Sequence, residues 1–487
     1  MAGASLRHAV IVEASSTEAA SSAVAHAGGR VDTSLDLVGG VAAHLNDLGL
    51  NELMGESGIS VTPDVVLHST GSSFPSSSTD ADPQIASLNP TADWANDAGD
   101  NVGVALIDTG VNPTSDLNGD RLVRGPDLSG EGDGVDRFGH GTFMAGLIAG
   151  DGTASSREPT RHVGSAPGAT VVSVKVAGAD GATTLSKLIA GIGWVVVHED
   201  DYNIGVLNLS FGADVNLPYV ANPLSGAVEA AWASGITVVT SAGNGGGGTV
   251  TSPGDDPWII TVGSSDSAGT GSTSDDTLAS WSGTKRFSTY SKPDVVAPGV
   301  SVVSLRATGS TIDSANPQAR IGDVYFRGSG TSMSTALVSG AAAVLLAHHP
   351  DATPDDVKGS LVDGGVTVRG SAAPGVDLQS ADDATPTSDW WQRYPIAFGG
   401  LGGRLGNQMP WTASRWTATR WTASRWTASR WTASRWTATR WTATRWTASR
   451  WTATRWTASR WTDADWTASR WTASRWTDAS WNSLGWG

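Results

Sequence analysis

Four residues of the 487-residue chain could together transfer an acyl group. Asp108 closes the apolar run in VALIDTG, and His140 opens an apolar stretch in DRFGHGTFMAGLIAG. Asn244 follows another apolar run in VVTSAGN, and Ser332 heads the small-residue stretch GSGTSMSTALVSGAAAVLLA. A serine hydroxyl attacks a carbonyl only when a base removes its proton, and histidine can do this near neutral pH. A buried carboxylate fixes the histidine's tautomer and stabilises the imidazolium. The oxyanion needs donors, which an asparagine amide and a backbone N–H at a helix start can supply. Singly, each motif also has an ordinary structural reading: a turn aspartate, a packed histidine, a helix cap. Together, in the order Asp, His, Asn, Ser, they point to nucleophilic acyl transfer.

The surrounding elements must then bring these residues to one place. NVGVALID, TVVSVKV, GVLNLS, ITVVTSAG and WIITVG are near-continuous apolar runs, as expected for strands buried on both faces. LSKLIAGIGWVVVHE and PLSGAVEAAWAS lie between them as helices, which predicts an α/β fold: a parallel sheet with helices on both faces. TPDDVKGSLVD has a Thr353 cap and Pro354 at its start, a further helix. Ligands gather at the carboxyl ends of such strands, where Asp108 and Asn244 fall.

Upstream, the order of RHAVIVEA, STEAASSAVAHAGG, RVDTSLDL, GVAAHLN, DLGLNELMGESG and ISVTPDVVLHS is β-α-β-β-α-β, a ferredoxin-like α+β unit. The Ser/Gly/Pro-rich stretch STGSSFPSSSTDADP reads as an exposed linker. Downstream of the Gly-rich AFGGLGGRLGNQMP, a repetitive tail begins at Trp411.

LIDTG, GHGT, LNLSFG, SAGN, PDVVAPGV and GTSM, covering about 290 residues, resemble the motifs of the subtilisin-like (subtilase, S8) serine peptidases. The resemblance implies that Asp108 is the stabilising acid, His140 the general base and acid, Ser332 the nucleophile and Asn244 the oxyanion donor. It also implies that Ser210, Phe211 and Gly212 form one wall of the substrate cleft, with Ala242 and Gly243 opposite, pairing with substrate backbone as an added strand. The first segment then reads as an inhibitory propeptide, cut off by the enzyme itself. The expected organisation is propeptide 1–70, linker 71–83, peptidase 84–385, linker 386–410 and tail 411–487. The expected partners are protein or peptide substrates and the chain's own propeptide, acting outside the cell or at its surface. In this family GHGT is usually followed by His or Tyr and then Val, where this chain has Phe143 and Met144. GTSM is usually followed by Ala and then Pro two positions on, where it has Ser334 and Ala336. The loop after GLIAG lacks the family's usual calcium pattern, so no metal site and no cofactor is assigned, with calcium elsewhere in the chain left open.

Composition narrows the rest. The chain has no cysteine, which excludes disulfides and thiolate chemistry. No run approaches the roughly 18 apolar residues of a membrane span, and MAGASLRHAV shows no signal-peptide pattern. The net charge of −16 conceals an asymmetry. From Trp411 onward there are 12 arginines and three aspartates, so the body before it carries 19 basic and 44 acidic residues. So acidic a body argues against nucleic acid as the main partner.

The tail places sixteen tryptophans at intervals of five, from Trp411 to Trp486. That spacing forms no face on a helix and alternates sides on a straight strand. A β-solenoid with five residues per side would give each tryptophan the same surroundings. Three readings stay open for it: a self-packed stalk or spacer, a disordered tract, or adhesion to a cell-surface polymer, the last joined to a catalytically weak or inactive subtilase scaffold in the alternative reading of the whole chain.

Overall fold

The computed structural model describes residues 7–69, 71–74, 84–90, 94, 98–158, 160–212, 217–384 and 397, and the backbone of strand segments between 410 and 483. The expected linkers 71–83 and 386–410 lie mostly outside the described residues. The chain divides into two compact units. One holds Met1–Pro63, Ala233–Gly235 and Ile396–Gly487, the other Asp64–Trp232 and Ile236–Pro395.

In the first unit, strands β1 (His8–Glu13), β2 (Arg30–Leu35), β3 (Gly40–Leu45) and β4 (Ser60–Pro63) alternate with helices α1 (Thr17–His26) and α2 (Asp47–Met54) as expected. The sheet is antiparallel in the order β2-β3-β1-β4. One face of the sheet packs on α1: Val10 and Val12 of β1 and Val41, Ala43 and Leu45 of β3 meet Ala20, Ala23 and Val24, while Ile11 and Ala42 between them are buried too. ISVTPDVVLHS, expected as one strand, is two. Proline has no N–H to continue a ladder, and pairing with β1 ends at Pro63. The residues beyond it, β5 (Val66–Ser69), join the second unit, as does β6 (Gly71–Ser73).

The second unit is built on a sheet whose parallel strands run β8 (Leu122–Asp127), β9 (Thr170–Lys175), β7 (Gly103–Asp108), β11 (Ile204–Leu209), β13 (Thr237–Ser241), β14 (Ile260–Asp266) and then Val295–Pro298. Every residue of β7 is buried, and burying each such Val, Leu or Ile contributes roughly 1.5–3 kcal/mol. The helices α3 (His140–Ala149), α4 (Leu185–Val197) and α5 (Pro223–Ser234) carry the apolar stretches between strands. The helix Thr331–His348 is long and apolar enough to cross a membrane, but 83% of it is buried inside this fold. Chain order reverses direction across the sheet at β7, the position where open α/β sheets form a crevice. The edge strand β8 escaped sequence reading because its residues are only half-buried.

In the tail the strands pair in parallel at a constant offset. Trp411 lies opposite Trp431, Trp431 opposite Trp451 and Trp451 opposite Trp471. The next columns run Trp416, Trp436, Trp456, Trp476 and Trp421, Trp441, Trp461, Trp481. The register therefore repeats every twenty residues, which is four pentads.

Candidate active site

Three strand ends meet at the crevice. Asp108 is the last residue of β7, Ser210 follows β11, and Ala242–Asn244 follow β13. Asp108 and His140 are each 1% exposed, and His140 Nδ1 lies 2.8 and 2.9 Å from the two Asp108 carboxylate oxygens. Nδ1–H therefore donates to the carboxylate, and Nε2 is left with a lone pair to act as base. That Nε2 is buried and takes no hydrogen bond from any described residue.

His140 stands where it does because α3 starts there. Gly139, before it, has φ 106°, and a Cβ at that position would run into Ser310 Oγ. A glycine cannot cap the helix, and Asp136 does so from outside. Its Oδ2 accepts from Thr142 N–H at 2.8 Å and Thr142 Oγ1 at 2.7 Å. Its Oδ1 accepts from Gly139 N–H at 2.7 Å and Thr109 Oγ1 at 2.8 Å. Thr109 Oγ1 in turn accepts from Gly141 N–H, and Thr109 N–H donates to Asp108. Asp136 thus ties the Asp108 strand to the His140 helix. Burial pushes its carboxyl pKa up, against the pull of these hydrogen bonds.

Ser332 is the second residue of the Thr331–His348 helix, with its Oγ 3.4 Å from Ser210 O. Asn244 Oδ1 accepts from Thr331 N–H at 3.0 Å and Thr331 Oγ1 at 3.1 Å. With the oxygen engaged there, the NH₂ is the end of the amide able to donate, as an oxyanion would require. Gly243 has φ 90°, and a Cβ on it would lie 2.8 Å from Thr251 Oγ1, so the backbone passes close beside that threonine.

The cleft is filled by the chain itself. β5 lies antiparallel between β10 (Ala182–Thr184) and β12 (Phe211–Gly212). Leu67 stands opposite Thr183, His68 opposite Ala182 and Gly212, and Ser69 opposite Phe211. β6 then pairs Gly71 with Gly330 and Ser73 with Ser329, immediately before the Ser332 helix. Upstream, the Asp64 carboxylate accepts from Ser186 N–H at 2.8 Å and Ser186 Oγ at 2.7 Å, in the first turn of α4. Of the wall residues expected from sequence, Phe211 pairs its backbone with Ser69, and its side chain is fully buried with β5 in place.

Sequence reading missed Asp136, Thr331, Asp64 and the second cleft strand β10. Thr183–Thr184, a β-branched pair shortly after the Asp180-Gly181 turn, was the one available signal for β10. Among the described residues no group of three or more His, Asp or Glu is placed to hold a metal ion.

A family model for the subtilase family, Peptidase S8, matches residues 99–377, more than half of the chain. The chain belongs to the subtilase family. Among curated relatives, this subtilase is 40% identical over 277 residues to serine protease AprX of Bacillus subtilis (strain 168), a match covering 55% of this chain and 61% of AprX. It is 34% identical over 269 residues to subtilisin DY of Bacillus licheniformis, covering 54% of this chain and 83% of that protein. Among solved structures it resembles fervidolysin from Fervidobacterium pennivorans, described as a keratinolytic enzyme related to subtilisin. The TM-score is 0.62 at 22% identity, over 80% of this chain and 62% of that one. At that identity the likeness speaks for the subtilisin-like fold alone.

Proposed function

We propose that this subtilase is a serine endopeptidase made as a zymogen, whose first substrate is its own chain at Thr70–Gly71. The observation that carries the reading is the seating of Val66–Ser69 as the middle strand between β10 and β12, with Gly71 resuming beside Gly330. Ser332 Oγ attacks the Thr70 carbonyl carbon while His140 Nε2 takes its proton. The C–N bond then breaks as His140 returns that proton to the Gly71 nitrogen. Water, deprotonated by the same nitrogen of His140, hydrolyses the acyl-enzyme. Asp108 stabilises the imidazolium throughout, and the Asn244 amide and Ser332 N–H receive the oxyanion. Held by backbone pairing and by Asp64 on α4, the cut segment stays as an inhibitor until it is itself degraded.

Other proteins and peptides would bind as β5 does, through backbone pairing. Likeness to the subtilisins supports action outside the cell or at its surface, where the arginine-rich tail would hold the enzyme to a surface polymer. The intact set of Asp108, His140, Asn244 and Ser332 disfavours an inactive scaffold. Expression beside a Ser332→Ala variant tests the reading. The parent should shed residues 1–70 and yield Gly71 as its new N-terminus, while the variant stays whole. If both stay whole and neither cuts casein, the peptidase reading fails; a new N-terminus far from Gly71 would overturn only the cut site.

A further inference from the structure

The tail repeats every five residues but pairs every twenty, and this puts most described residues, every tryptophan and arginine among them, opposite their own kind. Arg415 lies opposite Arg435 and Arg435 opposite Arg455; in another column Arg430 lies opposite Arg450. Paired strands are about 4.8 Å apart, so the backbone register repeats arginine at that spacing along each of these two columns. Like charges directly across a strand pair destabilise it, and few acids offset them: three aspartates stand against 12 arginines from Trp411 onward. The acids also come late. Asp463 lies opposite Ala443 and Asp478 opposite Ala458, so the positive character fades toward the C-terminal end.

We propose that the arginine ladders bind a linear phosphate polymer laid along each column. The proposal rests on the reading of the tail as a polymer-binding region and names its geometry and partner. A single row of cations suits a single row of anions, and binding releases the counterions condensed on the polymer. Guanidinium groups grip phosphate oxygens two at a time, which the ammonium groups of lysine do not match. A single strand also keeps the partner's charge density low beside a body with 44 acidic and 19 basic residues, which disfavours duplex nucleic acid.

The test uses the full chain carrying Ser332→Ala, so that it stays uncut, and poly(glycerol phosphate) as the probe at low and moderate salt. Two variants lose the same charge. The ladder variant is Arg415→Gln, Arg435→Gln and Arg455→Gln; the spread variant is Arg420→Gln, Arg435→Gln and Arg450→Gln, no two of which stand twenty apart. The ladder variant should bind fewer polymer chains per protein while the Kd of the remainder stays within about twofold. The spread variant should keep its stoichiometry and lose at least about fivefold in Kd, because each described ladder loses one arginine rather than one ladder losing three. Lysine at the three ladder positions should restore the lost stoichiometry at a weaker Kd than arginine, which separates charge from misfolding. If the two glutamine variants behave alike, or lysine restores nothing, the ladder proposal is overturned and the tail remains a diffuse polycation. Absence of any salt-sensitive binding by the parent overturns both the proposal and the tail's polymer-binding role. Tighter binding to single-stranded DNA than to poly(glycerol phosphate) overturns the choice of partner.

Discussion

Asp136 never touches a reacting atom, yet it decides where His140 points. All four of its hydrogen-bond partners donate, because Thr109 and Thr142 each accept a backbone N–H through the hydroxyl oxygen and pass their own hydrogen to the carboxylate. Asparagine there would set an NH₂ against one of those donors. The expected result for Asp136→Asn is a kcat about 10- to 100-fold lower with KM little changed, since small misplacements of a catalytic group cost on that order. Thr109→Val should lower kcat in the same manner, and Thr109→Ser should recover it. Rates are to be taken per titrated active site, so that lost folding is not counted as lost chemistry. A parent-like kcat in both Asp136→Asn and Thr109→Val would remove Asp136 from the catalytic account. At this scale the sequence was most readable where chemistry dictates residue type: Asp108, His140, Asn244 and Ser332 could be picked out because few other side chains do those tasks. Asp136 was not, because an aspartate in DRFGHGT looks like any loop acid until its 2% exposure is known.

Among the elements, β1 carries a liability at its last residue. Glu13 is 1% exposed, and burial, partly offset by Ser60, pushes its carboxyl up to about 8. Its ordinary value of 4.5 applies when the strand is unfolded. Between those two values the folded sheet binds a proton that the unfolded chain has lost, so stability falls as pH rises from about 4.5 toward 8. Amide exchange across β1–β4 in the Ser332→Ala chain, corrected for intrinsic rates, should be faster at pH 8.5 than at pH 5.5. Glu13→Gln should flatten the difference; a sheet equally protected at both pH values in the parent would refute the assignment. Element types were largely legible, since short apolar runs bounded by Gly and polar residues marked β1 and β3 and continuous apolar runs marked β7, β9, β11, β13 and β14. The break at Pro63 was not. VVLHS is as strand-like as ISVTP, and nothing local reveals that its partners are Ala182–Thr184 and Phe211–Gly212, more than a hundred residues away.

Taken whole, the chain separates its chemistry from its charge. Every residue assigned to catalysis precedes Ser334, while the excess of arginine begins after Pro410. A chain stopped at Pro410 should therefore self-process and cut a short soluble peptide with kcat/KM within about twofold of the parent, while eluting later from an anion exchanger. A large loss on the short peptide would tie the tail to catalysis after all. The register of four like pentads has one more consequence, and it concerns inheritance. Repetitive coding sequence gains and loses units when it is copied. Because each described tryptophan of the tail stands opposite another tryptophan, deleting one pentad moves the tryptophans beyond it onto equivalent partners. Lineages of this gene can thus be expected to lengthen or shorten the tail one pentad at a time with the tryptophan register kept.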